Sequence, residues 1–280
     1  MKISKIKSYA KINLALNITG KKKSLHKIES IINFVDLHDD ISINENKNNK
    51  HQISFFGKFS KKIGKKNTVE KLFLILDKKN LLKGKKFKVK IKKNIPQEAG
   101  LGGGSMNAAN VFNYLINKKI IKLSQKKIQN ICTSIGSDVI LGINFSSCIL
   151  SSNKIKKFYS CPKYFPLLVK PNFGCSTKKM FSGVRKFTKS RFSPPKKNMF
   201  HSKYLINQVN ALEEIAIRKF PKLKKIKLFL EEINNPIFVR MTGSGSTIIA
   251  YYNSSKICKL SKAKFMRKYK NYWCIASKTI

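Results

Sequence analysis

A chain of 280 residues, 42% of them hydrophobic, has room for one large domain or two of ordinary size and enough apolar material for a real core. No apolar run approaches the ~20 residues of a membrane helix, and the opening MKISKIKSYAKINLAL has neither an apolar h-region nor a small-residue cleavage site. Six cysteines without a CxxC pair, beside four dispersed histidines, argue against a disulfide scaffold or a zinc site, so a cytoplasmic protein with no membrane partner is expected.

The elements follow in chain order. Residues 1–20 alternate as a strand ending at Gly20. Strands are predicted over 28–37 and 41–43, separated by the polar His38, Asp39 and Asp40, and a short one over 52–56. Val69, Leu72, Phe73 and Leu76 share one face of a helix over 68–76, and 87–91 alternates with lysines as a half-exposed strand. A glycine-rich loop leads into a helix from about Ser105 to Asn117, and Ser124 is a fitting N-cap for the next, through Ile131. A domain boundary is expected at 153/154. Beyond it come a strand over 167–169, a basic loop over 186–198 carrying Pro194 and Pro195 and read as mobile, and helices over 207–220 and 223–234. Strands over 238–241 and 247–252, a basic helix over 255–269 and a last strand over 272–276 complete an α+β order.

The net charge of +46 points to anionic partners. Yet the basic residues are almost all lysines spread through every segment, and only Arg185, Arg191, Arg218, Arg240 and Arg267 are arginines. A nucleic-acid reader more often concentrates arginine with aromatics on one face. Lys, Asn and Ile all have A/T-rich codons, so a coding bias explains the charge without a specific nucleic-acid partner.

The segments that lack lysine carry more information. Residues 94–117, 128–153 and 241–255 contain no Lys or Arg, although about one residue in five of the chain is basic. Burial explains part of this, but each segment also holds a polar motif that packing does not require. The first is PQEAGLGGGSM, from Pro96, Gln97, Glu98 and Ala99 through Gly100, Leu101, Gly102, Gly103 and Gly104 to Ser105 and Met106. Glycines before a helix let backbone N–H groups approach a polyphosphate, and the helix start adds its free donors and partial positive charge. The lysine of a Walker motif is absent, as is the acid that follows a dinucleotide fingerprint. The second segment holds Asp138 in SIGSDVILG, a carboxylate with no basic sequence neighbour in a chain of only 13 acids. It is either held by local hydrogen bonds or paired through space.

These motifs resemble those of the GHMP kinases. PQEAGLGGGSMNAA resembles their phosphate loop, YAKINLALNITG their opening PAKIN segment, IGSDVILGI their GADVPFF segment and RMTGSGSTIIA their third motif. The GLGGGS variant followed by NAA is similar to the diphosphocytidyl-methylerythritol kinase branch. The resemblance implies a two-domain α+β fold, a ribosomal-protein-S5-like N-terminal domain over 1–153 that binds ATP and a ferredoxin-like C-terminal domain over 154–280 that binds substrate. It implies transfer of the ATP γ-phosphoryl group, with Mg2+, to the 2-hydroxyl of a small molecule, 4-diphosphocytidyl-2-C-methylerythritol, in the non-mevalonate route to isoprenoid precursors. Asp138 matches the general base and Lys11 its partner. Pro96 to Met106 match the ATP loop, and Asn13, His26, Thr177, Phe181, Gly243, Ser244 and Gly245 the substrate side. The chain departs from the pattern at Tyr9, Leu25, Glu98, Ala99 and Met106, and Glu98 would repel phosphate unless it pointed away. Alternative readings are a homoserine- or mevalonate-type kinase and a basic RNA-binding protein; a monomer or homodimer is expected.

Overall fold

The computed structural model describes residues 3–280 apart from Ser24, Lys62 and Asn153, so the first two residues of the expected opening strand and the last of the expected N-terminal domain lie outside the described residues. In chain order the elements are β1 (Ser4–Lys22), β2 (Leu25–Asn46), β3 (Gln52–Phe56), α1 (Thr68–Lys78), β4 (Lys86–Lys92), α2 (Gly103–Asn117), α3 (Gln125–Ile135), β5 (Ser147–Ser151), β6 (Lys154–Phe158), β7 (Phe165–Lys170), α4 (Thr177–Phe181), α5 (Ser202–Leu205), α6 (Glu213–Lys219), α7 (Lys222–Glu232), β8 (Phe238–Met241), β9 (Ile248–Tyr252), α8 (Ser255–Lys268) and β10 (Trp273–Ala276). Single turns of 3₁₀ helix occupy Val139–Gly142 and Lys197–Phe200. The α+β order expected from the sequence is present.

The chain forms two compact units that interleave in sequence. The first comprises residues up to Ala10, Leu37–Gln97 and Gly102–Phe145; the second comprises Lys11–Asp36, Glu98–Leu101 and Ser146–Ile280. The division is thus finer than a single cut at 153/154: β1, β2 and the glycine loop each contribute to both units.

In the first unit the second half of β2 pairs antiparallel with β4, Ile41 opposite Ile91 and Ile43 opposite Val89, and β3 runs parallel to β4. Alternation sends Phe87, Val89 and Ile91 inward and the lysines of β4 outward. Their inner face meets Val69, Leu72, Phe73 and Leu76 of α1, Val111, Phe112 and Leu115 of α2, and Ile128, Ile131 and Ile135 of α3. Each such side chain fully buried contributes roughly 1.5–3 kcal/mol. The predicted break in β2 at His38–Asp40 does not occur. Asp39 is fully buried but accepts from Lys93 Nζ, from the N–H groups of Asn94 and Ile95 at 2.8 Å each, and from Asn107 Nδ2 at 3.1 Å. A carboxylate satisfied in this way no longer interrupts a strand.

In the second unit the first part of β2 pairs with β5, which pairs with β6. A separate antiparallel sheet runs β10-β7-β9-β8. Ile248, Ala250 and Tyr252 of β9 face a core with Leu212, Ile215 and Ala216, Leu223, Ile226 and Leu230 of α7, and Phe265 of α8. The helix predicted over 207–220 is shorter, because the Asn210 side chain accepts from Leu212 N at 3.0 Å and holds a turn before α6. The loop read as mobile contains no helix or strand before Lys197, yet is tied down: Thr188 N–H donates to Ile18 O at 2.8 Å, and Glu29 takes Arg191 N–H at 2.9 Å and Phe192 N–H at 3.2 Å.

Candidate active site

The glycine loop is held at both ends. Helix α2 begins after Gly102, which adopts φ 66° and offers no side-chain cap, so the N–H groups of Gly103, Gly104 and Ser105 have no partner within the helix. Its first turn holds no acid, leaving the helix's partial positive charge uncompensated, as an anion site requires. Behind it stands the buried Asp39–Lys93 pair. A Cβ placed on Gly103 would come within 3.0 Å of Ile95 and 3.3 Å of Lys93 Nζ, so the loop rests directly on this support. Gln97 donates to Phe59 O at 2.7 Å, while Met106 is buried with its N–H given to Gly102 O at 2.9 Å. Pro96, Ala99 and Leu101 are buried too.

Asp138 heads the 3₁₀ turn Val139–Gly142 and is half-buried. The turn is fastened to α2: Val139 is buried, Asn113 Nδ2 donates to Gly142 O at 2.9 Å, and Gly142 lies so close that a Cβ would stand 2.6 Å from Ala109. Just ahead of Asp138, the Cβ position of Gly136 is 4.0 Å from Ser105 Oγ. Within the first unit, then, the turn bearing the acid sits beside the start of α2.

The middle of the loop, Glu98 to Leu101, interlocks with the third motif inside the second unit. Glu98 O accepts from Ser246 N at 3.3 Å and Cys175 N at 3.2 Å, and Ala99 O accepts from Thr247 N at 3.4 Å. Gly100 has φ +72°, and any side chain on it would stand 2.1 Å from Thr242 O. The Glu98 side chain lies over Gly174 of its own unit, whose Cβ position is 2.5 Å from Glu98 Oε2. Asn210 Nδ2 fixes the third motif by donating to Met241 O and Gly243 O, both at 2.8 Å.

Lys11 is buried on β1, a costly place for an ammonium. Its N–H donates to Leu101 O at 3.1 Å and its Nζ to Asn13 Oδ1 at 2.7 Å. Asn13 in turn donates its N–H to Thr242 Oγ1 at 2.9 Å and its Nδ2 to Ser30 Oγ at 2.8 Å. Other residues expected on the substrate side meet in pairs: Thr177 and Ser244 hydroxyls at 3.0 Å, and the His26 and Phe181 rings at 5.2 Å between centroids. Burial first, then the Lys21 ammonium, holds the His26 imidazole below its ordinary value, so it is neutral at pH 7. Gly243 (φ +52°) and Gly245 (φ +81°) supply the left-handed turns of the third motif.

Sequence reasoning missed Asp39, Lys93 and Asn107 beneath the loop, Asn210 behind the third motif, and Glu29. Lys93 precedes the lysine-free stretch by one residue, which is the only signal it left. The acids carried none, because their partners are remote in sequence.

A glycine loop opening a helix with an acid on an adjoining turn is the arrangement of a small-molecule kinase of the GHMP class, and residues 67–151 match the family described as GHMP kinases N terminal domain. Along its whole length the chain is similar to the 4-diphosphocytidyl-2-C-methyl-D-erythritol kinase of Pelagibacter ubique, 56% identical with 99% of each chain covered, and to that of Clostridium beijerinckii, 30% identical with 95% of this chain and 97% of the relative covered. It belongs to the 4-diphosphocytidyl-2-C-methyl-D-erythritol kinase family. The fold is shared with a crystal structure of 4-(cytidine 5'-diphospho)-2C-methyl-D-erythritol kinase, TM-score 0.80 at 19% identity over 99% of this chain and 100% of that one, and with Cytophaga hutchinsonii homoserine kinase, TM-score 0.73 at 13% identity over 100% and 95%.

Proposed function

We propose that this protein transfers the γ-phosphoryl group of ATP to the 2-hydroxyl of 4-diphosphocytidyl-2-C-methyl-D-erythritol in the cytoplasm, as a step toward isoprenoid precursors. Similarity along nearly the whole chain to kinases of that name carries the reading. In this reading the N–H groups of Gly103, Gly104 and Ser105 hold phosphate oxygens, and Lys11 supplies positive charge to the transferring group. Asp138 accepts the hydroxyl proton as the oxygen bonds to phosphorus and the bond to ADP breaks, and later gives that proton to water. His26, Phe181, Thr177, Asn13 and Gly243 to Gly245 serve the substrate.

Mg2+ would neutralise charge between the β- and γ-phosphates. Among the described residues no group of three His, Cys, Asp or Glu side chains gathers to cage an ion. No described helix is long and apolar enough to cross a membrane; the partner is a small molecule rather than a nucleic acid.

A coupled ADP-release assay tests this: release should depend on the diphosphocytidyl substrate. Homoserine or mevalonate driving release in its place would refute it, as would salt-sensitive RNA binding with no kinase activity.

A further inference from the structure

Strand β2 carries a serine, Ser30, that is fully buried. Its backbone sits in the β2–β5 ladder opposite Leu150, and its side chain lies against β1, with Oγ 2.6 Å from Ala15 O and 2.8 Å from Asn13 Nδ2. A carbonyl oxygen only accepts, so the single hydroxyl proton goes to Ala15 O and the serine oxygen is left to accept. Asn13 must then donate to it through Nδ2, which turns the other end of the amide, Oδ1, toward Lys11 Nζ at 2.7 Å. The reversed amide would set an NH2 group against the ammonium, donor against donor, and Oδ1 against an oxygen whose proton is already engaged. The main chain of Asn13 is held separately: its N–H donates to Thr242 Oγ1 at 2.9 Å, and the Thr242 hydroxyl donates to Gly100 O at 3.4 Å. All of these residues belong to the second unit.

A hydroxyl sealed in a core is unfavourable unless it is hydrogen-bonded. Ser30 both donates and accepts, and its acceptor side leads through one amide to the ammonium assigned above to the transferring group. We propose that Ser30 is a positioning residue for phosphoryl transfer: its hydroxyl sets the orientation of the Asn13 amide, and the amide oxygen sets where the Lys11 ammonium stands. Being fully buried, Ser30 acts through Asn13 and not on a ligand itself. The inference rests on the function proposed above and adds to it the group that orients one of its charged side chains.

Steady-state kinetics on the full chain test it, at a temperature where melting curves show every variant folded. Ser30→Ala should lower kcat about tenfold and leave KM for ATP within about twofold, and Ser30→Thr, which keeps the hydroxyl, should restore kcat to within about twofold. In an Asn13→Ala background Ser30→Ala should lower kcat no further, because both act through one amide. A serine that merely ties β2 to β1 would lower Tm and leave kcat unchanged; that result, or additive effects of the two substitutions, overturns the assignment. If alanine leaves the chain unfolded, Ser30→Cys, with its weak S–H donor, takes its place under the same outcomes. If the wild-type protein does not turn over the diphosphocytidyl substrate, the functional reading fails by itself. Nuclear magnetic resonance of the Asn13 side-chain amide, assigned by its loss in Asn13→Ala, then decides the orientation: an amide proton that moves upfield in Ser30→Ala but not in Ser30→Thr supports it, and one that stays in place overturns it.

Discussion

A half-buried acid at the head of a fastened turn suits the proposed proton acceptor: it reaches solvent, while Val139 and Gly142 pack the turn in place. Because Asp138 is not part of a core, Asp138→Asn should fold normally. Its kcat should fall about 10²- to 10⁴-fold with Tm little changed, the range for loss of a general base. Single-turnover kinetics beside a melting curve give both readings. Gly100 is the opposite case. Alanine there needs a left-handed φ of +72° and puts a methyl group 2.1 Å from Thr242 O. Gly100→Ala should therefore lower stability by more than the ~1 kcal/mol of ordinary backbone effects, and raise KM for ATP as the loop shifts. Denaturant unfolding and an ATP titration check the two parts.

Elements whose cause is local could be read from the sequence, and those fixed from afar could not. The α1 face Val69, Leu72, Phe73, Leu76 and the Ser124 cap of α3 were legible because period and capping act within a few residues. The continuity of β2 was not, because the ammonium that makes Asp39 tolerable lies 54 residues away. The site divides in the same manner. The glycine loop, Lys11 and Asp138 sit in motifs, whereas Glu29 is satisfied by Ser151, Ser190 and two backbone N–H groups that no residue identity announces. Burial alone would raise the pKa of Glu29, but the Ser190 hydroxyl, the Arg191 and Phe192 N–H groups and the Ser151 hydroxyl outweigh it, leaving it below the usual 4.5. A depressed acid adds stability that is fully present above its unfolded value and disappears as pH falls through its folded one. Glu29→Gln should thus lower Tm relative to wild type at pH 7, and the gap should close as pH drops well below 4.5. Parallel thermal melts from pH 7 to about 3 test the sign, acid values of this kind being where native carboxylates protonate.

For the molecule as a whole, a net charge of +46 sets the folded state against itself. Screening shortens from about 30 Å at 0.01 M salt to about 8 Å at 0.15 M, so Tm should climb by several degrees over that interval before levelling. Scanning calorimetry across a sodium chloride series measures it; a flat or falling Tm would show that the lysines are already neutralised within the fold. Most of those lysines can be exchanged freely, since exposed charges contribute little. Lys93 cannot, because removing either it or Asp39 strands the other in the interior beneath the glycine loop. That loss is of the order of 3–5 kcal/mol in a protein whose whole margin is about 5–15 kcal/mol. A lineage drifting toward lysine can repaint its surface one mutation at a time, but at this position the only open route is a simultaneous double change, and the foundation of the loop becomes a historical fixture.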